Sequence, residues 1–535
     1  MSNYDIALIN GRIYGKRGME NSFIGIKNGL IKKICDNNMI CDYNADSLID
    51  LKGKTIYPGF IDSHMHLLSY SQKKLNEISL NGLTSDDQLI SKVKVFIKEK
   101  NLKKGEWIIG AGWNQDDFKN RKMIDKTVLD KISKDNPIIL TRTCYHICAV
   151  NTYVLNLANI DKNTKDIDGG KIDRDKFGNP TGILRENAIG LVSEFLPVLS
   201  DKNIMKSLII EGLKDLKKVG ITTVYTDDFS YVSNKKKLWD VYRELSLENK
   251  LPINVVLQLR AEDERDVKEY KSLGLYSGKE VKNLIIGKIK LIVDGSLGSR
   301  TAALNKPYED DKENKGILLI EKNNIEKIVS SCFANDFDVT IHAIGDRAIE
   351  NVLDIYAKHY DIYTKKKYNP EIIHAQITSK EILKKFKKYN VSANLQPIFL
   401  NTDWKIAGNR VGEARLKYSY CTKQFLDMGI TCFASSDSPI ENFNPLYGIY
   451  SAVTRKDLDG HPINGWIPSE KISIKEAINL FTINLAKNNK LKNNGDLIKV
   501  GLSANLVVLA EDLEKIEDDK IKDVLVNLVI VNGKL

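Results

Sequence analysis

Long apolar runs are missing from this chain: none approaches the ~20 residues of a membrane span. Also missing are a Gly-rich phosphate loop and an aromatic–basic recognition strip, the usual marks of nucleotide and nucleic-acid binding. The opening residues, Met1-Ser2-Asn3-Tyr4-Asp5, carry neither the basic nor the apolar segment of a secretion signal. A soluble, cytoplasmic protein is therefore expected. Cysteine is scarce, odd in number at seven and irregularly spaced, which fits a reducing compartment. Cys144 and Cys148 flank His146, a grouping open to zinc. No fourth ligand is near, and buried free cysteines are common. The formal charge of +10 comes from lysines spread along the chain, the pattern of a solvated surface.

Histidine is as scarce as cysteine, with seven in 535 residues, and its placement is informative. His64 and His66 close the run Ile56-Tyr57-Pro58-Gly59-Phe60-Ile61-Asp62-Ser63. In a strand, residues two apart share a face, so both imidazoles can reach one metal ion. His342 closes Val339-Thr340-Ile341 and His374 closes Ile372-Ile373. Asp437 closes Cys432-Phe433-Ala434-Ser435-Ser436. Polar groups at the carboxyl ends of successive strands mark a barrel active site.

The chain is too long for one compact core. Its middle alternates strands and helices, and eight candidate strands are legible. They cover residues 56–62, 221–226, 253–260, 285–293, 339–344, 371–376, 391–396 and 430–436, a (β/α)8 barrel. The gap after the first strand far exceeds a βα connection. It predicts an inserted α/β subdomain at about 75–200, leaving from a strand's carboxyl end and so overhanging the active site. Both chain ends read as strands with Asn-Gly turns at Asn10-Gly11, Asn28-Gly29 and Asn532-Gly533. Residues 1–57 and 490–535 are therefore expected to form one composite β-sandwich domain, and 58–489 the barrel. There is no internal repeat and no low-complexity linker.

Lys290 falls near the end of the fourth strand. A lysine in a barrel strand needs a reason, because burying its charge is costly. An ion pair is one solution. Reaction with carbon dioxide, giving an anionic carbamate that can bridge two metals, is another. Lys288 shares the face but lies deeper. Arg300 either holds a substrate carboxylate or carbonyl or pins its own loop. His146 either polarises a substrate carbonyl from above or packs in the insertion. Asp346 reads as a loop cap, His359 and His461 as surface or loop residues. Trp113 and Asn114 are open to lining the substrate pocket, with ordinary packing the alternative for Trp113.

The segments Pro58-Gly59-Phe60-Ile61-Asp62-Ser63-His64-Met65-His66, Asp294-Gly295-Ser296-Leu297-Gly298-Ser299-Arg300-Thr301-Ala302, His342-Ala343-Ile344-Gly345-Asp346-Arg347-Ala348 and Ser436-Asp437-Ser438-Pro439 together resemble the metal-dependent amidohydrolase superfamily. The branch they resemble is amidohydrolase-3, which includes N-substituted formamide deformylases. The tail Gly501-Leu502-Ser503-Ala504-Asn505-Leu506-Val507-Val508-Leu509 is similar too, with Asn505 where the family usually has Asp. The resemblance implies a TIM barrel and one or two divalent metals, zinc by default, with iron, manganese or nickel open. It implies His64 and His66 on the more buried metal, His342 and His374 on the second, carboxylated Lys290 bridging, and Asp437 holding the metal-bound water and moving its proton. The implied activity is hydrolysis of carbon–nitrogen bonds other than peptide bonds, in an amide, formamide or cyclic amide, by metal-activated hydroxide. A deaminase on the same fold is the alternative, as is a catalytically inactive regulatory protein. The partner expected is a small-molecule substrate, not nucleic acid or a membrane, with a homodimer left open.

Overall fold

The computed structural model describes residues 2–15, 21–36, 43–142, 147–167, 169–193, 195–196, 199–488 and 498–535. Two compact units result, Met1–Tyr70 with Ser200–Leu535, and Ser71–Leu199.

The first unit holds eight parallel strands: β1 (Phe60–Met65), β2 (Ile221–Thr226), β3 (Asn254–Arg260), β4 (Leu284–Ile292), β5 (Val339–Ala343), β6 (Glu371–His374), β7 (Ser392–Leu395) and β8 (Cys432–Ala434). They pair in chain order from β1 to β8. Every residue of β1 and β2 is buried, as expected of strands covered on both faces. Helices lie between successive strands. That of Asp346–Lys358 buries Ala348, Ile349, Val352, Leu353, Ile355 and Tyr356, one stripe at helical spacing. β1 and β8 meet side by side: Ser63 Oγ donates to the Ala434 carbonyl at 2.7 Å. Just beyond, Asp437 N donates to the His64 carbonyl at 2.9 Å. A nearly closed barrel results, with the ligand candidates at its carboxyl end.

The expected first strand, 56–62, is two strands. Thr55–Pro58 pairs with Leu506–Leu509 and with Arg12 and Ile13, while Phe60–Met65 pairs with β2. Gly59 is the pivot, since a Cβ there would collide with the Thr222 side chain. One apolar run thus serves two sheets. The other sheet has seven strands, five from residues 2–58 plus Leu506–Leu509 and Val526–Ile530. Its core includes Ile6, Leu8, Ile24, Ile56, Leu506 and Val508.

Asn28-Gly29 closes a two-residue hairpin, with Lys27 opposite Leu30. Asn10-Gly11 does not turn the chain. It is an irregularity inside Ser2–Ile13, whose two ends pair in parallel with different strands, so tertiary pairing overrides the local signal.

The second unit carries a six-stranded sheet in the order Gly170–Arg174, Pro180–Glu186, Ile147–Val150, Ile138–Arg142, Ile108–Trp113, Glu77–Ser79. Trp113 is a core residue here, fully buried, with Nε1 donating to the Leu140 carbonyl at 2.9 Å. The Asn114 side chain caps Asp116 N and accepts from Arg142. Both contacts express packing and loop-capping rather than pocket lining. Cys148 is buried and free, while Cys144 and His146 lie outside the described residues. No helix of the described residues is long and apolar enough to cross a membrane.

Candidate metal centre

Strand alternation puts His64 and His66 on one face at the end of β1, and Asp62 fixes that end. Its Oδ1 accepts from His64 N at 3.2 Å and Ser436 N at 3.1 Å, and Oδ2 accepts from Ser436 Oγ at 2.5 Å. Asp437 follows β8 with a positive φ of 56°. Its Oδ1 comes within 3.3 Å of both His64 Nε2 and His66 Nε2.

The hydrogen bonds behind the rings assign the protons. His66 Nδ1 donates to the Asp227 carbonyl at 2.9 Å, an atom that can only accept. His64 Nδ1 donates to Gln258 Oε1 at 2.6 Å, and His374 Nδ1 to Gln396 Oε1 at 2.8 Å. The Gln396 amide is oriented by Nε2 donating to the Asn394 carbonyl and Ser435 Oγ. Each of these rings therefore keeps Nε2 as a lone pair, the arrangement that tunes and aims metal-ligating histidine. His342 is turned the other way. Its Nε2 faces the Gly295 carbonyl at 3.3 Å and Asp294 Oδ1 at 3.4 Å, leaving Nδ1 as its donor atom. The His342 and His374 rings stand 4.4 Å apart, and His64 and His374 6.2 Å.

Asp437 Oδ1 is buried without a hydrogen-bond partner, and it faces two imidazole nitrogens. A carboxylate oxygen and imidazole lone pairs repel one another unless a cation or proton stands between them. The ligand atoms of His64, His66 and Asp437 all lie within 4.8 Å of one another, so these residues fit a divalent ion. Burial, then Lys290, pushes His64 down to about 4. Burial, then His342, holds His374 well below the ordinary range. Both are neutral, as a ligand must be. Burial opposes charging of His66 also, but Asp437 and Asp227 outweigh it and raise that ring.

Lys290 Nζ lies 3.2 Å from His64 Nε2 and is buried. Among the described residues no carboxylate stands within ion-pair distance of it, whereas Lys288 pairs with Glu371 at 2.9 Å. Burial pushes Lys290 down to about 8, against the pull of Asp227 and Asp437. Arg300 makes a two-pronged pair with Asp310, at 3.0 and 3.1 Å, the loop-pinning alternative. Asp346 caps its loop by accepting from Asn305 N and Arg347 N. His359 is buried rather than superficial, bridging the Ile355 carbonyl and Ser330 Oγ.

The sequence reading missed the groups that hold the ligands, namely Asp62, Asp227, Gln258, Asp294 and Gln396. Asp294 accepts from the backbone N–H of Ala303, Ile344 and Gly345 and so ties the loops after β4 and β5. The signal available was a lone polar residue inside an apolar run, as in Val255-Val256-Leu257-Gln258-Leu259.

An amidohydrolase family model matches residues 47–535. The chain belongs to the amidohydrolase family. Among family relatives, the putative amidohydrolase YtcJ of Bacillus subtilis is 32% identical over 91% of this chain and 90% of its own. The N-substituted formamide deformylase of Arthrobacter pascens is 24% identical over 91% of this chain and 89% of its own. A crystal structure of an uncharacterized metal-dependent hydrolase from Pyrococcus furiosus superposes with a TM-score of 0.75 at 28% identity, covering 95% of this chain and all of that one. Family model, relatives and geometry thus agree on the amidohydrolase barrel.

Proposed function

We propose that this chain is a metal-dependent hydrolase of carbon–nitrogen bonds other than peptide bonds, acting on an amide, formamide or cyclic amide. The observation that carries the reading is the buried Asp437 Oδ1 set against the Nε2 atoms of His64 and His66. These residues would hold one divalent ion, zinc by default. His342 and His374, with a carbamate on Lys290, would hold a second. A bound metal supplies Lewis acidity toward a carbonyl and lowers the pKa of water.

The chain's own residues do the rest. Gln258, Gln396 and the Asp227 carbonyl keep the imidazoles in the ligating tautomer. Asp437 takes a proton at Oδ2, the oxygen not shared with the histidines, and returns it to the departing amine. His146 polarises the substrate carbonyl. The likeness to an N-substituted formamide deformylase favours a small N-acyl or N-formyl substrate over an amino-heterocycle. The cytoplasm suits the free Cys35, Cys148, Cys332, Cys421 and Cys432.

Screening the zinc-loaded protein against formamides, N-acyl amines, hydantoins and amino-heterocycles tests the reading. Turnover of one of the first three classes, lost in Asp437→Asn and reduced in His146→Ala with metal retained, is expected. Ammonia release from amino-heterocycles alone would replace it with the deaminase.

A further inference from the structure

Beside His374 lies a small cavity of about 20 Å³ lined by Gln376, Gln396, Tyr420, Thr422 and Arg455. Most of its polar groups are committed. The Gln396 amide is engaged by His374, Asn394 and Ser435, and the Tyr420 hydroxyl donates to Asp403 at 2.7 Å. Arg455 is different. It is 2% exposed, and its Nη2 is buried with no hydrogen-bond partner. Its Nε donates to the Trp466 carbonyl at 3.1 Å, and its guanidinium lies 5.4 Å from the Trp466 ring centre. Neither contact neutralises the charge.

Among the described residues no carboxylate lies within ion-pair distance of Arg455. Glu470 acts on it only through space, because its oxygens accept from Lys423 N, Gln424 N and Gln424 Nε2. A guanidinium without an anion is costly inside a protein. Its backbone, at a φ of 61°, ends the helix Pro445–Thr454 in the left-handed region.

We propose that Arg455 is the anchor of a carboxylate-binding subsite next to the metal centre, receiving a small carboxylate group in this cavity. The chemistry selects the ligand. A guanidinium presents donors in a plane that match the two oxygens of a carboxylate. The cavity is small, which disfavours the bulkier phosphate. Two sources share this chemistry, a carboxylate carried by the substrate and the acid released by hydrolysis. Only that choice of source rests on the hydrolase reading; the subsite itself does not.

The test is equilibrium binding, independent of turnover. Formate and N-acetylglycine, with N-acetylglycinamide as the uncharged control, are titrated calorimetrically into zinc-loaded wild type, Arg455→Met and Arg455→Lys. Losing a charged, forked pair predicts at least about tenfold weaker carboxylate binding in both variants. Zinc content should be unchanged and the amide should not respond. Arg455→Met without ligand should melt no lower than wild type, because an unpaired buried charge is gone. Tighter Arg455-dependent binding of N-acetylglycine assigns the substrate carboxylate, and tighter binding of formate the released acid. Equal carboxylate affinity in wild type and Arg455→Lys overturns the subsite, even if Arg455→Met fails to fold. So does an Arg455→Met protein that is destabilised yet binds both acids as wild type does, which would leave Arg455 as a prop for the Trp466 loop.

Discussion

Lys290 and His64 approach each other inside the barrel, with Nζ 3.2 Å from Nε2. The lysine thus donates to the same lone pair that a metal ion uses. Metal binding and this lysine contact exclude each other unless Lys290 changes its chemical form. A carbamate reverses the sign of the group and turns the competitor into a ligand. Bicarbonate during reconstitution should raise metal content and activity together. Lys290→Ala should lose activity, and short carboxylic acids should restore part of it. A labelled-carbonate NMR experiment reads the carbamate directly. An active, fully loaded protein with no carbamate resonance would end this assignment.

The paired histidines make a sharper test. His64→Ala should lose most bound metal by elemental analysis, and His64→Ala/His66→Ala essentially all of it. Full stoichiometry in the double variant would remove the site. Gln258→Leu, which leaves every ligand in place, should weaken metal affinity by about 10–100-fold, the usual effect of releasing the far nitrogen of a ligating ring.

Lys288 and Glu371 form a buried pair, which sets a stability window. Burial opposes both charges, yet the pair together with Asp338 beside Lys288 and the hydrogen bonds of Asn394 and Thr340 to Glu371 outweighs it, so Glu371 titrates below its ordinary value and Lys288 above. The lowered carboxyl contributes stability above its unfolded pKa, lost as pH falls through its folded value. The raised amine contributes stability that is lost as pH rises through its folded value. The pair is thus fully effective from mildly acid to mildly alkaline pH and fails at both extremes. Glu371→Ala should cost about 3–5 kcal/mol at neutral pH by leaving the buried Lys288 ammonium only the more distant Asp338, at 3.8 Å. Denaturant unfolding measures this; a change below about 1 kcal/mol would show that Asp338 alone compensates Lys288.

Removing residues 500–535 takes away Leu506–Leu509, the strand that pairs with Thr55–Pro58. Val508 and Leu506 are buried in that sheet's core. The truncated protein should bind a hydrophobic dye and aggregate. A soluble truncation with an unchanged melting curve would show that the N-terminal strands are self-sufficient.

The barrel and its strand-end histidines were legible because parallel strands buried on both faces read as apolar runs, so a histidine closing one stands out. What the sequence hid depends on tertiary pairing. Ile56 and Ile61 belong to one apolar run, and only the packing at Gly59 divides it between two sheets. Asn10-Gly11 carries a strong turn signal, yet its strand continues because partners on both sides hold it. Gln258 and Gln396 look like ordinary amides, since nothing in their local sequence states which ring they face. Lys288 and Lys290 share a face and an alternation, and the choice between them rests on Glu371, which is close only in the folded chain.

The seam between β1 and β8 has a consequence for biosynthesis. Asp62 and Ser436 are bonded across 374 residues, and Asp437 hangs its backbone on His64. His64 and His66 are made with the first barrel strand, but the carboxylate that completes their cluster leaves the ribosome only after the eighth. A nascent chain therefore carries an unfinished claw for most of its synthesis. Closure of the barrel and assembly of this cluster would then coincide, so metal uptake would report that the last strand has docked.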